Sequence, residues 1–114
     1  MKILILNHAE VEQLLPMAEC VEVMAEALAA LSAGQLHQPL RTVVRPSGAV
    51  GLMGLMPAYR AGEQPTYGLK AVCVFPGNSA IGKDAHQGSV MLFSGATGEL
   101  LALMNASAIT AIRT

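Results

Sequence analysis

Tyr67-Gly68-Leu69-Lys70-Ala71-Val72-Cys73-Val74-Phe75 is a run of nine residues with a single charge, closed by the turn signal Pro76-Gly77-Asn78. Successive residues on a strand point to opposite faces, and both sets are apolar here, so the run reads as a strand covered on both sides. The same rhythm continues outward from it. Leu40 to Arg45, Val50 to Met56, Ser89 to Ser94 and Leu100 to Leu103 are further strand candidates, set apart by Pro46-Ser47-Gly48 and Gly95-Ala96-Thr97-Gly98. The second of these separators joins two apolar runs tightly enough for a hairpin. Before Pro39 the period differs. Ile3 to Leu6 reads as a short strand and Ala9 to Leu15 as a brief helix, with Pro16 opening the next one. From Met17 to Ala33 the residues Met17, Val21, Met24, Leu28 and Leu31 recur at helical steps, Glu19, Glu22 and Glu26 take another face, and Gly34 ends the helix. Strand, helices and then several strands define an α+β fold, with N-terminal helices packed on a mainly antiparallel sheet.

The 114 residues amount to one domain. Their composition, 53% hydrophobic and 13% charged, departs from the roughly 45–50% and about 25% of an average globular domain. A small chain has much surface to solvate, so the apolar surplus points to burial against another copy, and a homodimer is expected. A net charge of −1 and scattered Lys and Arg give no field for nucleic acid or an anionic membrane. No stretch is long enough to span a membrane. Cys20 and Cys73 form neither a disulfide framework nor a metal-ligand spacing, which places the chain by default in a reducing, cytoplasmic setting.

Few residues carry chemistry. Asp84 is the single Asp, and five of the seven Glu fall between residues 10 and 26, on or beside the amphipathic helix, where a solvated face accounts for them. The histidines at 8, 37 and 86 lack the spacing of a metal site. Arg41, after Pro39-Leu40 at a strand start, is either a surface charge or a bidentate fork for a carboxylate. Lys70 lies in the apolar run, on the same face as Gly68, Val72 and Val74. It must snorkel, pair or lose its charge, and such an amine can bind an acid group or exchange protons near neutral pH. His86 and Gln87 read as loop residues leading into a strand, solvated or ligand-binding. Ser107 or Thr110 can cap a last helix barely begun at Arg113-Thr114, which reads as a chain cut short. An Arg at such a helix start calls for an anionic partner. No Gly-x-Gly-x-x-Gly, no Gly-Lys-Ser/Thr loop and no Gly-x-Ser-x-Gly elbow occurs.

Read in order, Glu10-Val11, Leu14-Leu15, Gln38-Pro39-Leu40-Arg41, Leu55-Met56-Pro57-Ala58-Tyr59, Tyr67-Gly68-Leu69-Lys70, Phe75-Pro76-Gly77-Asn78, His86-Gln87-Gly88, Thr97-Gly98-Glu99-Leu100-Leu101-Ala102 and Ile109-Thr110-Ala111-Ile112-Arg113-Thr114 form a pattern. From about Leu4 to Thr114 that pattern resembles the N-terminal part of the ornithine cyclodeaminase/mu-crystallin family. The resemblance implies a homodimeric enzyme whose first domain, here residues 1–114, binds substrate and dimerises through its sheet. A following Rossmann domain, absent from this chain, would hold most of the NAD or NADP, and the 114 residues alone would be inactive. It further implies that Arg41 and Lys70 grip a substrate carboxylate, Lys70 being also catalytic, that Met56 lines the pocket, and that Arg113 reaches both substrate and cofactor. Ala85, His86 and Gln87 match a loop touching the nicotinamide. The implied reaction is hydride transfer at the C–N bond of an amino acid, keto acid plus amine, or imine.

Two departures from the family pattern stand out. Ornithine cyclodeaminases carry a substrate-handling Glu where this chain has Gly54, so Gly54-Leu55-Met56-Pro57-Ala58-Tyr59 looks more like the ketimine reductase and alanine dehydrogenase side. Cyclodeamination of ornithine, or a non-catalytic dimeric module for small ligands, are the alternatives. Asn105-Ala106-Ser107 stands where the family pattern has an Asp-Gly pair, with no consequence legible from sequence.

Overall fold

The computed structural model describes residues 2–114. Strand β1 (Leu4–Leu6) leads into helix α1 (His8–Leu14) and helix α2 (Met17–Ser32). Then follow β2 (Leu36–His37), β3 (Thr42–Val44), β4 (Leu52–Arg60), β5 (Thr66–Val74), a short 3-10 helix (Pro76–Ile81), β6 (His86–Ser94), β7 (Leu100–Asn105) and helix α3 (Ala106–Arg113). The class is α+β. The sheet is mixed, in the order β1-β7-β6-β5-β4-β2 with β3 also on β4; β1 runs parallel to β7 and every other pairing is antiparallel.

Local chemistry sets the helix ends. Asn7 Oδ1 accepts from the Glu10 amide at 2.9 Å while the Asn7 amide donates to Glu10 Oε1 at 3.0 Å, a reciprocal cap for α1. Pro16 supplies the extended N-cap of α2. After Ser32 the chain turns at Gly34 with φ 77°, a left-handed conformation that glycine adopts without strain.

Strand β4 runs further than its sequence shows, through Pro57, and the sheet explains why. On its outer edge β3 pairs only Met53 to Leu55, and β2 pairs only Tyr59 and Arg60. Pro57, which has no N–H to give, stands in the gap between them. Past that gap run Gln38, Pro39, Leu40 and Arg41, which line a small hollow together with Met56 and Pro57.

Register divides the sheet into two faces. Leu52, Gly54 and Met56 of β4 share one face with Val74, Val72 and Lys70 of β5, and with His86, Gly88 and Val90 of β6. Helix α3 lies across β5 and β6, and α1 and α2 pack against α3. The buried residues, Val11, Cys20, Ala30, Val72, Ala102, Ala106 and Ala108, lie along this helix-covered layer. Most are small, so the core is thin. The opposite face carries Met53, Tyr59, Tyr67, Leu69 and Met91 by the same alternation, and Tyr67 is 52% exposed. Helix α2 is likewise open on its apolar stripe, with Met17 and Val21 each 61% exposed. No helix is long and apolar enough to cross a membrane.

Three expectations change. His86 and Gln87 are the first residues of β6, because the Phe75 amide already donates to the Ala85 carbonyl at 2.8 Å and starts the pairing before the apolar run begins. The last helix is capped by Asn105, whose Oδ1 accepts from the Ala108 amide at 2.9 Å, and not by Ser107 or Thr110. Arg113 therefore sits in the last turn of α3, not at its start. There the helix dipole favours a cation, so the dipole makes no demand for an anion.

Candidate functional site

A hollow of about 270 Å³ opens on the helix-covered face of the sheet, lined by Leu52, Gly54 and Met56 of β4, Lys70, Val72 and Val74 of β5, and His86 of β6. Arg41 and Val43 close it from the β3 side, and Thr110 and Arg113 from α3. Arg41, Met56, Lys70 and Arg113, far apart in the chain, thus share one space. Met56 and Lys70 are direct partners across β4 and β5. Arg41 arrives past the gap at Pro57, and Arg113 one helical turn after Thr110.

The charge in this hollow is of one sign. Arg41, Lys70 and Arg113 line it with His86, and no Asp or Glu does. Among the described residues the single contact of salt-bridge geometry is His8–Glu12 on α1, so none of the three cations has a carboxylate within bonding distance. Lys70 Nζ donates to Thr110 Oγ1 at 2.6 Å. Burial, then the positive charges of Arg113 and Arg41, hold the Lys70 ammonium below the ordinary lysine range. Three basic side chains line one concavity whose lining holds no carboxylate, an electrostatic setting that favours an anion over a cation.

A second hollow, of about 200 Å³, adjoins the first and shares His86 and Thr110 with it; Asp84, Ala85, Ser107 and Ala111 complete the lining. Its wall is stitched together by polar groups. Ser107 Oγ donates to Asp84 Oδ2 at 2.8 Å, tying the segment before β6 to the first turn of α3. Asn78 Nδ2 and Gln87 Nε2 each donate to the Asp84 carbonyl at 2.9 Å. Gln87 pairs with Cys73 on the other sheet face and lines neither hollow, so of the residues Ala85, His86 and Gln87 only the first two are brought to the site.

Sequence reasoning missed the role of Thr110 and Asp84, read only as a helix cap and an isolated acid. The signal for Thr110 was its three-residue spacing from Arg113, which puts both on one helical face. Asp84 had no comparable signal, because its partner Ser107 is 23 residues away. Asn105 fills the place of the family's Asp as a cap, and Ala106 after it is fully buried. Among the described residues no group of three His, Cys, Asp or Glu side chains gathers to hold a metal.

A helix-roofed mixed sheet with a cationic hollow between roof and strands is the class of unit that fold and geometry define. The chain belongs to the ornithine cyclodeaminase/mu-crystallin family, whose model matches residues 1–114. It is 43% identical over 81 residues to the ketimine reductase mu-crystallin of Mus musculus, covering 71% of this chain and 26% of that one. It is 37% identical over 111 residues to a Δ1-pyrroline-2-carboxylate reductase of Bacillus cereus, covering 97% of this chain and 34% of the relative. Among solved structures, an archaeal alanine dehydrogenase dimer with bound NAD superposes with a TM-score of 0.88 at 33% identity, over 99% of this chain and 34% of that one. The Δ1-pyrroline-2-carboxylate reductase of Thermococcus litoralis, in complex with NADH and L-proline, superposes with a TM-score of 0.83 at 31% identity, over 96% and 34%. The chain spans about a third or less of the length of each of these proteins.

Proposed function

We propose that residues 1–114 form the substrate-binding and dimerisation part of an NAD(P)-dependent oxidoreductase acting on the C–N bond of small amino acids or ketimines, in the cytoplasm. The observation that carries this is the convergence of Arg41, Lys70 and Arg113 on one hollow without a carboxylate. Its volume, about 270 Å³, falls just under the roughly 300–1,000 Å³ of sites for drug-sized ligands. A ligand the size of proline or alanine suits it. In this reading Arg41 and Lys70 hold the carboxylate, which fixes the α-carbon against the apolar floor of Met56 and Val72, and Arg113 closes the space from the helix.

The smaller hollow at Ala85, His86 and Thr110 suits the nicotinamide end of the cofactor, whose bound ring would supply or accept the hydride. The rest of a dinucleotide has no phosphate-binding glycine loop in this chain. Arg113 lines the larger space and not the smaller one, so it meets the substrate side in this reading. Gly54 leaves the site without the acid that a diamino acid would call for, which favours a monoamino or imino acid over ornithine. A binding role without turnover is the second reading, favoured by the lack of any Asp or Glu lining the hollow as a proton acceptor.

Calorimetry tests the proposal with L-proline, L-alanine and pyruvate against L-prolinamide, which lacks the acid group. The acids bind and the amide does not, and Arg41→Met and Lys70→Met each weaken the acids about tenfold or more. Equal heats for acid and amide, or no heat with any, would refute it. With a dinucleotide-binding domain supplied, consumption of NADH or NADPH with cyclic ketimines separates the enzyme from the binding module.

A further inference from the structure

The hydrogen bond between Lys70 and Thr110 joins residues 40 positions apart, from the middle of β5 to the last turns of α3, and at 2.6 Å it is the shortest between described side chains. Thr110 is also one of two residues that line both hollows, the other being His86. Its hydroxyl therefore stands at the partition between them, on the amine that faces the larger one.

The charged groups facing Lys70 are Arg41 from the segment before β3 and Arg113 from α3, with the titratable His86 of β6 beside them; no carboxylate joins them. An ammonium in that company is pressed to give up a proton. An amine that changes charge also changes its bonding: protonated it only donates, and deprotonated it gains a lone pair. A carboxylate or amide partner would serve just one of those states well. A hydroxyl serves both, because it holds one O–H and two lone pairs and turns on its own C–O bond. On a β-branched side chain its place is further restricted by few rotamers.

We infer that Thr110 is the positioning residue for Lys70, holding its amine in place toward the ligand as the amine exchanges a proton. With the ammonium, Thr110 Oγ1 accepts one N–H and leaves two for a bound acid. Once Nζ has given up one proton to solvent, the neutral amine turns its lone pair toward Thr110 and the Thr110 O–H rotates to donate to it, so the amine stays where it was. The inference deepens the proposed function, on whose reading of Lys70 it rests.

The test uses the 114-residue chain with Thr110→Val, which keeps shape and removes the hydroxyl, and Thr110→Ser, which keeps the hydroxyl. The sequence has three lysines, Lys2, Lys70 and Lys83, so the Lys70 Cε resonance can be followed in a 13C-lysine-labelled chain as pH is raised. The bond that Thr110 Oγ1 accepts from the ammonium is charge-assisted and stronger than the one its O–H donates to the neutral amine, so Thr110→Val lowers the Lys70 midpoint further and Thr110→Ser restores it. L-proline affinity follows, weaker by about tenfold in the valine variant and recovered with serine. If the valine variant fails to fold, Thr110→Ala carries the same expectation. An unchanged midpoint and affinity in folded Thr110→Val, with only thermal stability altered, would mean that Thr110 merely packs the helix and would overturn the inference. The readouts also separate the two proposals. No L-proline binding by the unaltered chain refutes the carboxylate site, while the Lys70 midpoint still judges Thr110.

Discussion

Lys70 shows how one residue's surroundings convert into a pH dependence. Its ammonium is held below the ordinary lysine range by burial, Arg113 and Arg41. A carboxylate bound beside it favours the charged form and raises that value in the complex. Between the two values binding takes up a proton, so affinity for L-proline falls as pH rises, by up to about tenfold per pH unit, and is flat below the free-chain value. Calorimetry across the alkaline range, in buffers of different ionisation heat, measures this; affinity flat throughout would remove Lys70 from the ligand. Gly54 offers a second residue-scale test. A Cβ there would meet Val72 Cγ1 at 3.6 Å, ordinary contact, so a side chain fits and enters the hollow. Gly54→Glu is expected to fold and to lose affinity for L-proline about tenfold or more, as its carboxylate takes the place of the bound acid among the cations. Competition by L-proline as strong as in the unaltered chain would contradict this.

At the level of elements, the site depends on how closely β5 and β6 approach. Gly88 faces Val72 across the two strands, and a Cβ on it would come within 2.8 Å of the Val72 Cα and closer still to the Ala71 carbonyl. Backbone cannot yield as a side-chain tip does. Gly88→Ala is therefore expected to cost about 1–3 kcal/mol of stability, read from denaturant unfolding, whereas Gly54→Ala costs far less. Equal midpoints for the two variants would contradict the register. Elements were legible in the sequence to different depths. The strands of the hairpin at Gly95-Ala96-Thr97-Gly98 and the course of α2 follow from periodicity and turn residues. Strand β2, two residues long, has no periodicity to show and exists because Gln35 and its neighbours meet the end of β4. The extension of β4 through Pro57 was hidden for the opposite reason: proline ordinarily ends a central strand, and only the gap between β2 and β3 makes it harmless here.

For the whole molecule, the apolar surplus seen in the composition has a location. Met53 (42% exposed) and Tyr67 (52%) lie on the uncovered sheet face, and Met17 and Leu28 on α2 are 61% and 58% exposed. Exposed apolar surface gathered on one face marks an interaction surface, so the uncovered sheet face is expected to meet a second copy. Sedimentation at micromolar concentration should give a dimer, and Tyr67→Lys, placing a charge on that face beside Tyr59, should give a monomer with unchanged secondary structure. A dimer that survives Tyr67→Lys would move the interface elsewhere, with the stripe of α2 the next surface to test.

The sequence by itself determined the α+β class, the sheet's main strands and Lys70 as a charge stranded in an apolar run, while it left Arg41 open between a surface charge and a carboxylate fork and offered for Arg113 a helix start that the structure replaces. Those properties are local: periodicity, turn residues and a charge stranded in an apolar run are written within a few positions of one another. Only the tertiary structure decided that the three cations face one hollow, that Gln87 turns away from it, that Arg113 ends a helix and that Thr110 holds the lysine. Each of these depends on which residues meet across long separations in the chain. Register and helix placement, through the packing of the whole, choose those meetings.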